Sequence, residues 1–462
     1  MNQTIWLTEG RKRAVLLACS LSLFISTMDA TIVNVALPTI RVEMDAPVAH
    51  LQWIVDVYTL TLASLLMLSG AMADRFGRRR VFRIGLVTFA VGSLLCSLAP
   101  SVSVLIAARF VQAVGGSMLN PVAMSIITAV FTGRQERARA IGVWGSVVGV
   151  STAVGPLTGG LLIDALGWRS VFWVNLPICG VALALTYLVV PESKASRARQ
   201  FDPIGQVLAI AVLSTLVFAL IEQRPLVLVA TGLAFVAFVW HERRHFAPFI
   251  DLRFFRSFPF SAATLTAVFA FAGFGAFLFS QSIYLQTVRH LSAVQTGLVY
   301  LPMALAVLIV SPLSGRLVGR HGARPSMVSA GIVMAVASVL LALVTDQTPI
   351  ALVAGAMAIF GIGFGLVNAP ITNSAVSGMP VDRAGAAAAV ATTSRQIGIS
   401  IGVALCGMLS GAGLWLTVAA ASAFVVVFGI VSTGAAARRS VERVAPLFDD
   451  DAVPACRESQ HV

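Results

Sequence analysis

Charged residues are scarce in this chain of 462 residues, forming 11% of it, whereas hydrophobic residues form 58%. A soluble protein of this length needs far more surface charge, so the composition excludes an ordinary soluble fold. The 5 cysteines show no spacing typical of disulfides or metal sites. Neither lysine, Lys12 nor Lys194, belongs to a glycine-rich phosphate-binding loop. We therefore expect no enzyme activity, no cofactor, no metal site and no ATP-driven function.

Long apolar runs recur along the chain, each about 18 to 25 residues long, which is the length of a membrane-spanning helix. Such runs predict an all-α integral membrane protein with fourteen transmembrane helices. Their expected ranges are 14–36, 51–72, 81–99, 103–130, 140–163, 170–190, 204–222, 225–241, 259–285, 297–318, 326–345, 349–374, 384–410 and 413–434.

Arginine and lysine fall mostly on one side of this predicted topology. With a cytoplasmic N-terminus, the inner loops, inner helix ends and termini hold most of the 32 basic residues. The outer loops hold four, namely Arg41, Arg169, Arg224 and Arg289. This asymmetry predicts a multi-pass protein of a bacterial plasma membrane with both termini in the cytoplasm. Topology thus explains the net charge of +12, and we expect no nucleic-acid partner.

A pattern of glycine and arginine occurs twice. Residues 70–80 read GAMADRFGRRR, and residues 315–324 repeat the spacing as GRLVGRHGAR, with Gly319 in the place of Asp74. The repeat predicts two six-helix halves in parallel orientation. The expected division is a cytoplasmic N-terminus (1–13), a first six-helix half (14–190), a linker with two inserted transmembrane helices (191–257), a second six-helix half (258–434) and a polar cytoplasmic tail expected to be disordered (435–462).

Several motifs in order resemble those of the major facilitator superfamily, and within it the fourteen-helix drug:proton antiporter branch. They are residues 29–38, 70–80, 105–117, 145–160, 167–177 and 395–398. One departure is Ala113, where the family has glycine. The resemblance implies a major facilitator fold of two six-helix bundles plus an inserted helix pair. It also implies proton-coupled efflux of drugs or antibiotics by alternating access.

Three ionisable residues lie within the predicted helices, where charge is costly and commonly functional. Asp29, Asp56 and Arg109 are expected at a similar depth in the outer part of the membrane. A change in solvent access or in carboxylate–arginine distance alters proton affinity, so these residues are candidates for proton coupling, with Asp29 the leading site. The alternative is a static pair of Asp29 or Asp56 with Arg109 that holds the first half together.

Glycines dominate the predicted fifth helix. A helical period of 3.6 places its small residues on one face, where a partner helix can approach closely. This pattern predicts a helix that moves against the other half, and Gly155→Leu is expected to block that movement. The candidate residues are Gly145, Gly149, Gly155, Pro156, Gly159 and Gly160.

The loop at 70–80 is a candidate conformational latch. By resemblance it stabilises the state closed to the cytoplasm, whereas anchoring by positive charge is the alternative. Its candidate residues are Gly70, Asp74, Arg75, Gly77 and Arg78.

Aromatic, amide and arginine side chains within the helices are candidates for a large, mostly apolar substrate cavity. They are Asn34, Trp53, Tyr58, Asn120, Trp144, Asn368 and Arg395. Helix packing or an interfacial belt is the alternative for the aromatic ones. Such a cavity favours amphipathic, including cationic, small molecules. The expected partners are therefore the lipid bilayer, a drug-like substrate and protons, and we expect a monomer. The alternative functions are an exporter or symporter of one metabolite, or a uniporter.

Overall fold

The computed structural model describes residues 8–194, 202–245, 248–377, 379, 383–432, 434–444 and 446–449. Within these ranges the chain is helical almost throughout and contains no strand. The α-helices are α1 (Glu9–Glu43), α2 (Val48–Phe76), α3 (Arg78–Ser97), α4 (Val102–Val130), α5 (Arg134–Leu166), α6 (Ser170–Trp173), α7 (Asn175–Val189), α8 (Pro203–Ile221), α9 (Val227–Arg244), α10 (Phe258–Ile283), α11 (Ala293–His321), α12 (Ala323–Ala342), α13 (Ile350–Ser377), α14 (Ala384–Leu405), α15 (Gly411–Val431), α16 (Ala435–Val444) and α17 (Pro446–Asp449).

Twelve helical segments of the described chain are long and apolar enough to cross a membrane, and α6 with α7 forms one of them. Helices α9 and α14 are not among these twelve, yet they coincide with the two remaining predicted spans. A helix is thus present at each of the fourteen predicted segments. The prediction of an all-α integral membrane protein is confirmed.

The beginning of the C-terminal tail is helical, so the expectation of a disordered tail is wrong for this part. The Phe448 ring lies 5.7 Å from the Phe254 ring, and Val444 is buried in the same apolar cluster. The Ser440 hydroxyl accepts a hydrogen bond from the backbone N–H of Phe258 at 3.0 Å. Apolar contacts at helical spacing therefore order α16 despite its charge. Residues 450–462 lie outside the described residues.

The glycine pattern that occurs twice in the sequence forms the same tight turn in both halves. Gly77 connects α2 to α3 with φ 108°, and Gly322 connects α11 to α12 with φ 79°. Both angles lie in the left-handed region, which glycine occupies without the steric cost of a side chain. We call the end of the bundle that carries residues 70–80 the basic end, and the other end the opposite end.

Two pairs of helices connect the halves near the opposite end. One is α5 with α11, where Asp164 accepts hydrogen bonds from the N–H groups of Ala293 at 3.2 Å and Val294 at 3.1 Å. The other is α2 with α14, where the Gln52 amide donates to the carbonyls of Val403 at 2.7 Å and Ala404 at 3.0 Å. We call these two contacts together the seam. The halves therefore meet closely at the opposite end.

The inserted helices α8 and α9 pack against each other, and α8 lies along the α2–α14 side of the seam. A small apolar cluster joins the three helices α2, α8 and α14 through Leu60, Val217, Ile221 and Ala404. In addition, the Gln206 amide donates to the carbonyl of Ser64. Helix α8 thus contacts both halves.

Candidate functional site

Asp29 lies at the centre of a buried hydrogen-bond network inside the first half. Its Oδ2 accepts from Arg109 Nη1 at 2.5 Å, and its Oδ1 accepts from Gln112 at 2.8 Å and Asn175 at 2.9 Å. Asp29 is 0% and Arg109 1% exposed. The Gln112 amide also donates to Ser93 Oγ at 2.8 Å. The network therefore connects α1, α3, α4 and α7.

The backbone explains why these groups meet. Arg109 and Gln112 are three residues apart on α4 and therefore lie on one helix face. Glycines bring α3 close to that helix, because a Cβ at Gly92 would clash with the backbone of Gln112 and one at Gly115 would clash with the backbone of Phe89. Small residues at a helix crossing permit two helices to pack this closely.

Arg109 makes further contacts with α2. Its Nε donates to the carbonyl of Ile54 at 3.2 Å, and its guanidinium lies 4.1 Å from the centre of the Tyr58 ring. Tyr58 is fully buried. The expectation that Tyr58 lines a substrate cavity is therefore wrong in this structure, because the ring packs against Arg109 instead.

Asp56 lies apart from this network, although the sequence placed it at a similar depth. Its carboxyl is fully buried, Thr59 donates a long 3.4 Å hydrogen bond to its Oδ1, and Ser400 of α14 faces it. Asp56 Oδ2 and Ser400 Oγ both lack a partner with ordinary hydrogen-bond geometry among the described residues. Asp29 and Arg109 thus pair directly, whereas Asp56 lies outside their network at the seam, although Arg109 reaches the carbonyl of Ile54 on the same helix α2.

The glycines of α5 contact two helices, so the prediction of a single sliding face is wrong. A Cβ at Gly155 would clash with Thr31, and one at Gly159 would clash with Ile32, both on α1 of the same half. By contrast, Gly160 packs against the backbone of Ala293 on α11. The small residues cover a sector wide enough for both neighbours. Gly155→Leu therefore tests packing inside the first half, and not the seam.

The contact between α5 and α11 continues from the opposite end as far as Gly149, where a Cβ would stand 3.1 Å from Leu308. The backbone of Pro156 lies in this stretch, against Gly297 of α11. One turn nearer the basic end, Gly145 is exposed and a Cβ there would meet no heavy atom within 4 Å. The seam thus closes the opposite end and does not extend along α5 to the basic end.

The loop at 70–80 contacts its own half and the start of the linker. Asp74 pairs with Arg78 at 3.1 Å, and the N–H of Arg78 donates to the carbonyl of Ser193 at 2.9 Å. A Cβ at Gly77 would clash with Glu192, which also accepts from the N–H of Arg79. Gly70 packs loosely on Pro121, and Arg75 lies over the Phe76 ring. Its role as a latch stays a prediction.

Four of the candidate cavity residues are partly exposed and belong to opposite halves. Asn120 accepts from Ser26, and the Trp144 indole donates to the carbonyl of Cys19, both in the first half. In the second half, Arg395 donates to Thr372 Oγ1 at 2.6 Å and to the carbonyl of Asn368. Each half thus presents one pair of these polar side chains, and their place in a substrate cavity stays a prediction.

Two other candidates have different surroundings. The Trp53 indole donates to Glu222 at 2.8 Å and packs on Phe218 of α8, so the expectation that it lines the cavity is wrong. Asn34 is buried and donates to the carbonyl of Ala30 within its own helix.

Sequence reasoning missed an aromatic cluster beside Arg395. The Phe271 ring lies 5.6 Å from its guanidinium and 5.0 Å from the ring of Phe364, which stacks on Phe274 at 4.0 Å. The run of phenylalanines in α10 was the available signal. Gln112 and Asn175 were also missed as site residues, although both lie in the quoted motifs.

A family model described as the Major Facilitator Superfamily matches residues 19–403. The chain belongs to the major facilitator superfamily. Members of this superfamily are membrane transporters, so the expectation of a protein that is not an enzyme is confirmed. Residues 398–402, GISIG, have the spacing of a hydrolase nucleophile elbow. They lie inside α14, and the described part of the chain contains no strand, so this spacing lacks the strand-to-turn context of a nucleophile elbow.

Curated relatives of this superfamily member include resistance proteins. The chain is 40% identical over 428 residues to the multidrug resistance protein Stp of Mycobacterium tuberculosis, covering 90% of this chain and 78% of Stp. It is 34% identical to the methylenomycin A resistance protein of Streptomyces coelicolor, covering 88% of each chain. It is 33% identical to the tetracenomycin C resistance and export protein of Streptomyces glaucescens, covering 87% and 76%.

Solved structures of major facilitator transporters have the same fold. A bacterial homologue of the human lysosomal transporter Spinster, inward-facing and occupied, has a TM-score of 0.69 and 18% identity, covering 95% of this chain and 99% of that chain. The xylose transporter XylE from E. coli, in an inward open conformation, has a TM-score of 0.67 and 14% identity, covering 92% and 96%. The predicted family and fold are therefore confirmed.

Proposed function

We propose that this protein exports amphipathic drug-like molecules, antibiotics among them, across a bacterial plasma membrane by alternating access coupled to proton entry. The names of the relatives support the substrate class, since they include multidrug resistance, methylenomycin A resistance and tetracenomycin C export. The positive-inside rule supports a cytoplasmic basic end, with both termini on that side. The competing proposal is that the protein is a uniporter or a transporter of one metabolite.

One observation carries the mechanism: among the described residues, the hydrogen bonds of Asp164 and Gln52 that join the two halves lie at the opposite end. By contrast, Gly145, nearer the basic end, is exposed. Such an arrangement corresponds to the state that receives substrate from the cytoplasm. Breaking the seam while the basic end closes would release the substrate outside.

Asp56 is the proposed proton site, because its carboxyl is buried at the seam without a charged partner among the described residues. Opening the seam gives it water from outside. An ionised carboxylate is costly to bury, whereas the neutral acid is not, so proton uptake from outside favours closure. When substrate binds from the cytoplasm, Asp56 has to release its proton to that side before the seam opens again. Each substrate molecule that leaves the cell is thus exchanged for one proton that enters it.

Asp29 has a different proposed role, despite being the leading candidate from the sequence. Its two carboxylate oxygens already accept from Arg109, Gln112 and Asn175 within a single half. Seam opening does not separate those partners, since none of them belongs to the second half. We assign the Asp29–Arg109 pair to positioning α1, α4 and α7, which is the static alternative.

The wall contributed by the second half favours particular substrates. Arg395 is a permanent cation beside Phe271 and Phe364, and aromatic rings offer a flat apolar surface. Neutral or acidic aromatic compounds therefore fit this wall better than the cationic drugs that composition alone allowed.

The test uses everted membrane vesicles from an efflux-deficient bacterium. An acid-interior gradient drives uptake of a fluorescent drug, and a pH-sensitive dye reports proton release when the drug is added. We expect wild type to exchange drug for protons and Asp56→Asn to lose proton release, because an amide cannot titrate. Asp346→Asn, on an exposed loop, is the matched control.

The Asp29→Asn variant distinguishes the two aspartates. Retained drug-induced proton release with lowered protein stability supports a positioning role, whereas lost proton release in a stable Asp29→Asn protein restores Asp29 as the proton site. A susceptibility panel of neutral, acidic and cationic antibiotics accompanies the vesicles. Unchanged susceptibility to every compound, with the protein present in the membrane, would contradict drug export itself.

A further inference from the structure

Two histidines and an aspartate meet where the inserted helices begin and end. His241 Nε2 lies 3.0 Å from both carboxylate oxygens of Asp202, and His245 Nδ1 lies 3.8 Å from Asp202 Oδ2. The two imidazole rings stack with their centres 5.1 Å apart. One ligand atom from each residue can be chosen so that all three lie within 4.8 Å of one another.

The local structure explains this meeting. His241 and His245 are four residues apart at the end of α9, so their side chains project from the same side of the helix. Asp202 is the N-cap of α8, where its Oδ1 accepts from the N–H of Gly205 at 2.9 Å. The Asp202 carboxylate thus lies between the start of α8 and the two imidazoles at the end of α9.

Glu242 provides a second, independent observation. Its side chain is 4% exposed, its Oε2 accepts from the N–H of Ile250, and its Oε1 has no hydrogen-bond partner among the described residues. That oxygen and Asp202 Oδ2 both lie close to Gly205, because a Cβ added there would clash with both. A buried carboxyl oxygen without a donor leaves an acceptor that a nearby cation can satisfy.

The segment also has the HExxH spacing, as His241-Glu242-Arg243-Arg244-His245, which is a signal for metal binding that runs against the expectation of no metal site. In metalloproteases of that pattern the glutamate activates a water molecule. Glu242 is buried against the backbone of Ile250, so it cannot take that role here. The arrangement therefore fits metal binding without proteolysis.

We propose that Asp202, His241 and His245 bind a zinc ion. Imidazole nitrogen and carboxylate oxygen are ordinary zinc ligands, and a tetrahedral site with bonds of about 2.0–2.2 Å needs ligand atoms about 3.3–3.6 Å apart. The separations of 3.0 and 3.8 Å from Asp202 Oδ2 lie on either side of that value. Water or Glu242 Oε1 supplies the fourth ligand. The ion clips the start of α8 to the end of α9 and thereby holds the inserted pair closed at the basic end.

The experiment uses the full-length purified protein without a polyhistidine tag, stripped with a chelator. Equilibrium dialysis against Zn²⁺ measures bound metal per chain, and thermal unfolding is recorded with and without Zn²⁺. We expect one zinc ion per chain, and at least about tenfold weaker binding in His245→Ala and His241→Gln, because each variant removes a ligand. His321→Ala, at the exposed end of α11, is the matched control.

His245→Ala is the decisive variant, because the His245 side chain is 38% exposed and its loss is tolerated best. A stabilising effect of Zn²⁺ on wild type and His321→Ala that disappears in His245→Ala supports the clip. Excess Mg²⁺, which prefers six oxygen ligands, should leave bound zinc unchanged. No stoichiometric zinc in wild type, or equal affinity in His245→Ala, would overturn the proposal and leave Asp202–His241 as a plain hydrogen bond.

Discussion

Gln112 has a position in the buried network that only an amide side chain satisfies fully. Its nitrogen donates to Asp29 and Ser93, while its oxygen accepts from Arg109 at 2.6 Å. A carboxylate cannot donate, and an aliphatic side chain can do neither. The residue therefore completes the Asp29–Arg109 pair without adding charge.

Replacing that amide should destabilise the first half. We expect Gln112→Leu to lower the free energy of unfolding by about 1–3 kcal/mol, because buried polar groups of Asp29, Arg109 and Ser93 lose a partner. Thermal and denaturant unfolding in detergent measure the change, with Gln347→Leu on an exposed loop as the control. Equal stability of both variants would show that water replaces the amide.

Residue types alone predicted part of the site. Asp29, Asp56 and Arg109 were recognisable as site candidates because they are charged residues in apolar helices. Charge is costly to bury there and is commonly retained for function. The position of a residue along a span gives its depth in the membrane, but the sequence does not show how each helix is rotated relative to its neighbours. For that reason the pairing of Asp29 with Arg109 and the isolation of Asp56 became visible only in the structure.

Helix α5 is the element whose glycines have two distinct tasks. Gly155 and Gly159 allow close packing on α1 in the same half, whereas Gly149 and Gly160 face α11 of the other half. The sequence predicted a smooth helix correctly, since small side chains on one side are evident from spacing alone. It could not assign the partners, because these depend on contacts between distant segments.

A larger side chain at Gly160 should disturb the contact between α5 and α11 at the seam and leave the packing of α5 on α1 intact. A Leu side chain there would overlap the backbone of Ala293, so we expect Gly160→Leu to favour the state open at the opposite end and to stop transport. Spin labels at the exposed positions Leu166 and Leu298 report the α5–α11 distance.

Gly155→Leu and Gly180→Leu serve as comparisons for that measurement. The first should lower stability through α1, and the second should be silent because Gly180 is exposed with no heavy atom within 4 Å of an added Cβ. An unchanged spin–spin distance in Gly160→Leu would show that the seam tolerates bulk at this point.

At the scale of the whole molecule, the glycine pattern that occurs twice in the sequence forms the same turn in both halves. Gly77 and Gly322 both need a positive φ, so the repeated glycine pattern is a direct consequence of backbone geometry. The way the halves meet was not predictable in the same manner. Gln52 binds the carbonyls of Val403 and Ala404. Because nearly every residue type has the same backbone carbonyl, the sequence does not show which carbonyl accepts the bond.

The two polar contacts of the seam should set the balance between states. We expect Gln52→Ala and Asp164→Ala each to raise the population open at the opposite end by about two- to tenfold, since each removes hydrogen bonds worth about 0.5–1.5 kcal/mol. The same spin-label pair measures this shift. Gln347→Ala and Asp346→Ala, both on an exposed loop, are the controls. A shift in the controls as large as in the seam variants would exclude a specific contribution.

The position of α8 has a consequence for how molecules dissolved in the bilayer can reach the interior. A two-half bundle has two vertical edges at which lipid tails can touch the boundary between its halves. Helix α8 covers the α2–α14 edge through Val217 and Ile221, and Gln223 beyond it donates to the carbonyl of Gly407. Within the described residues, no helix of the inserted pair packs in this way against the α5–α11 edge. Under the proposed export function, lipophilic substrates would therefore enter from the bilayer at that edge.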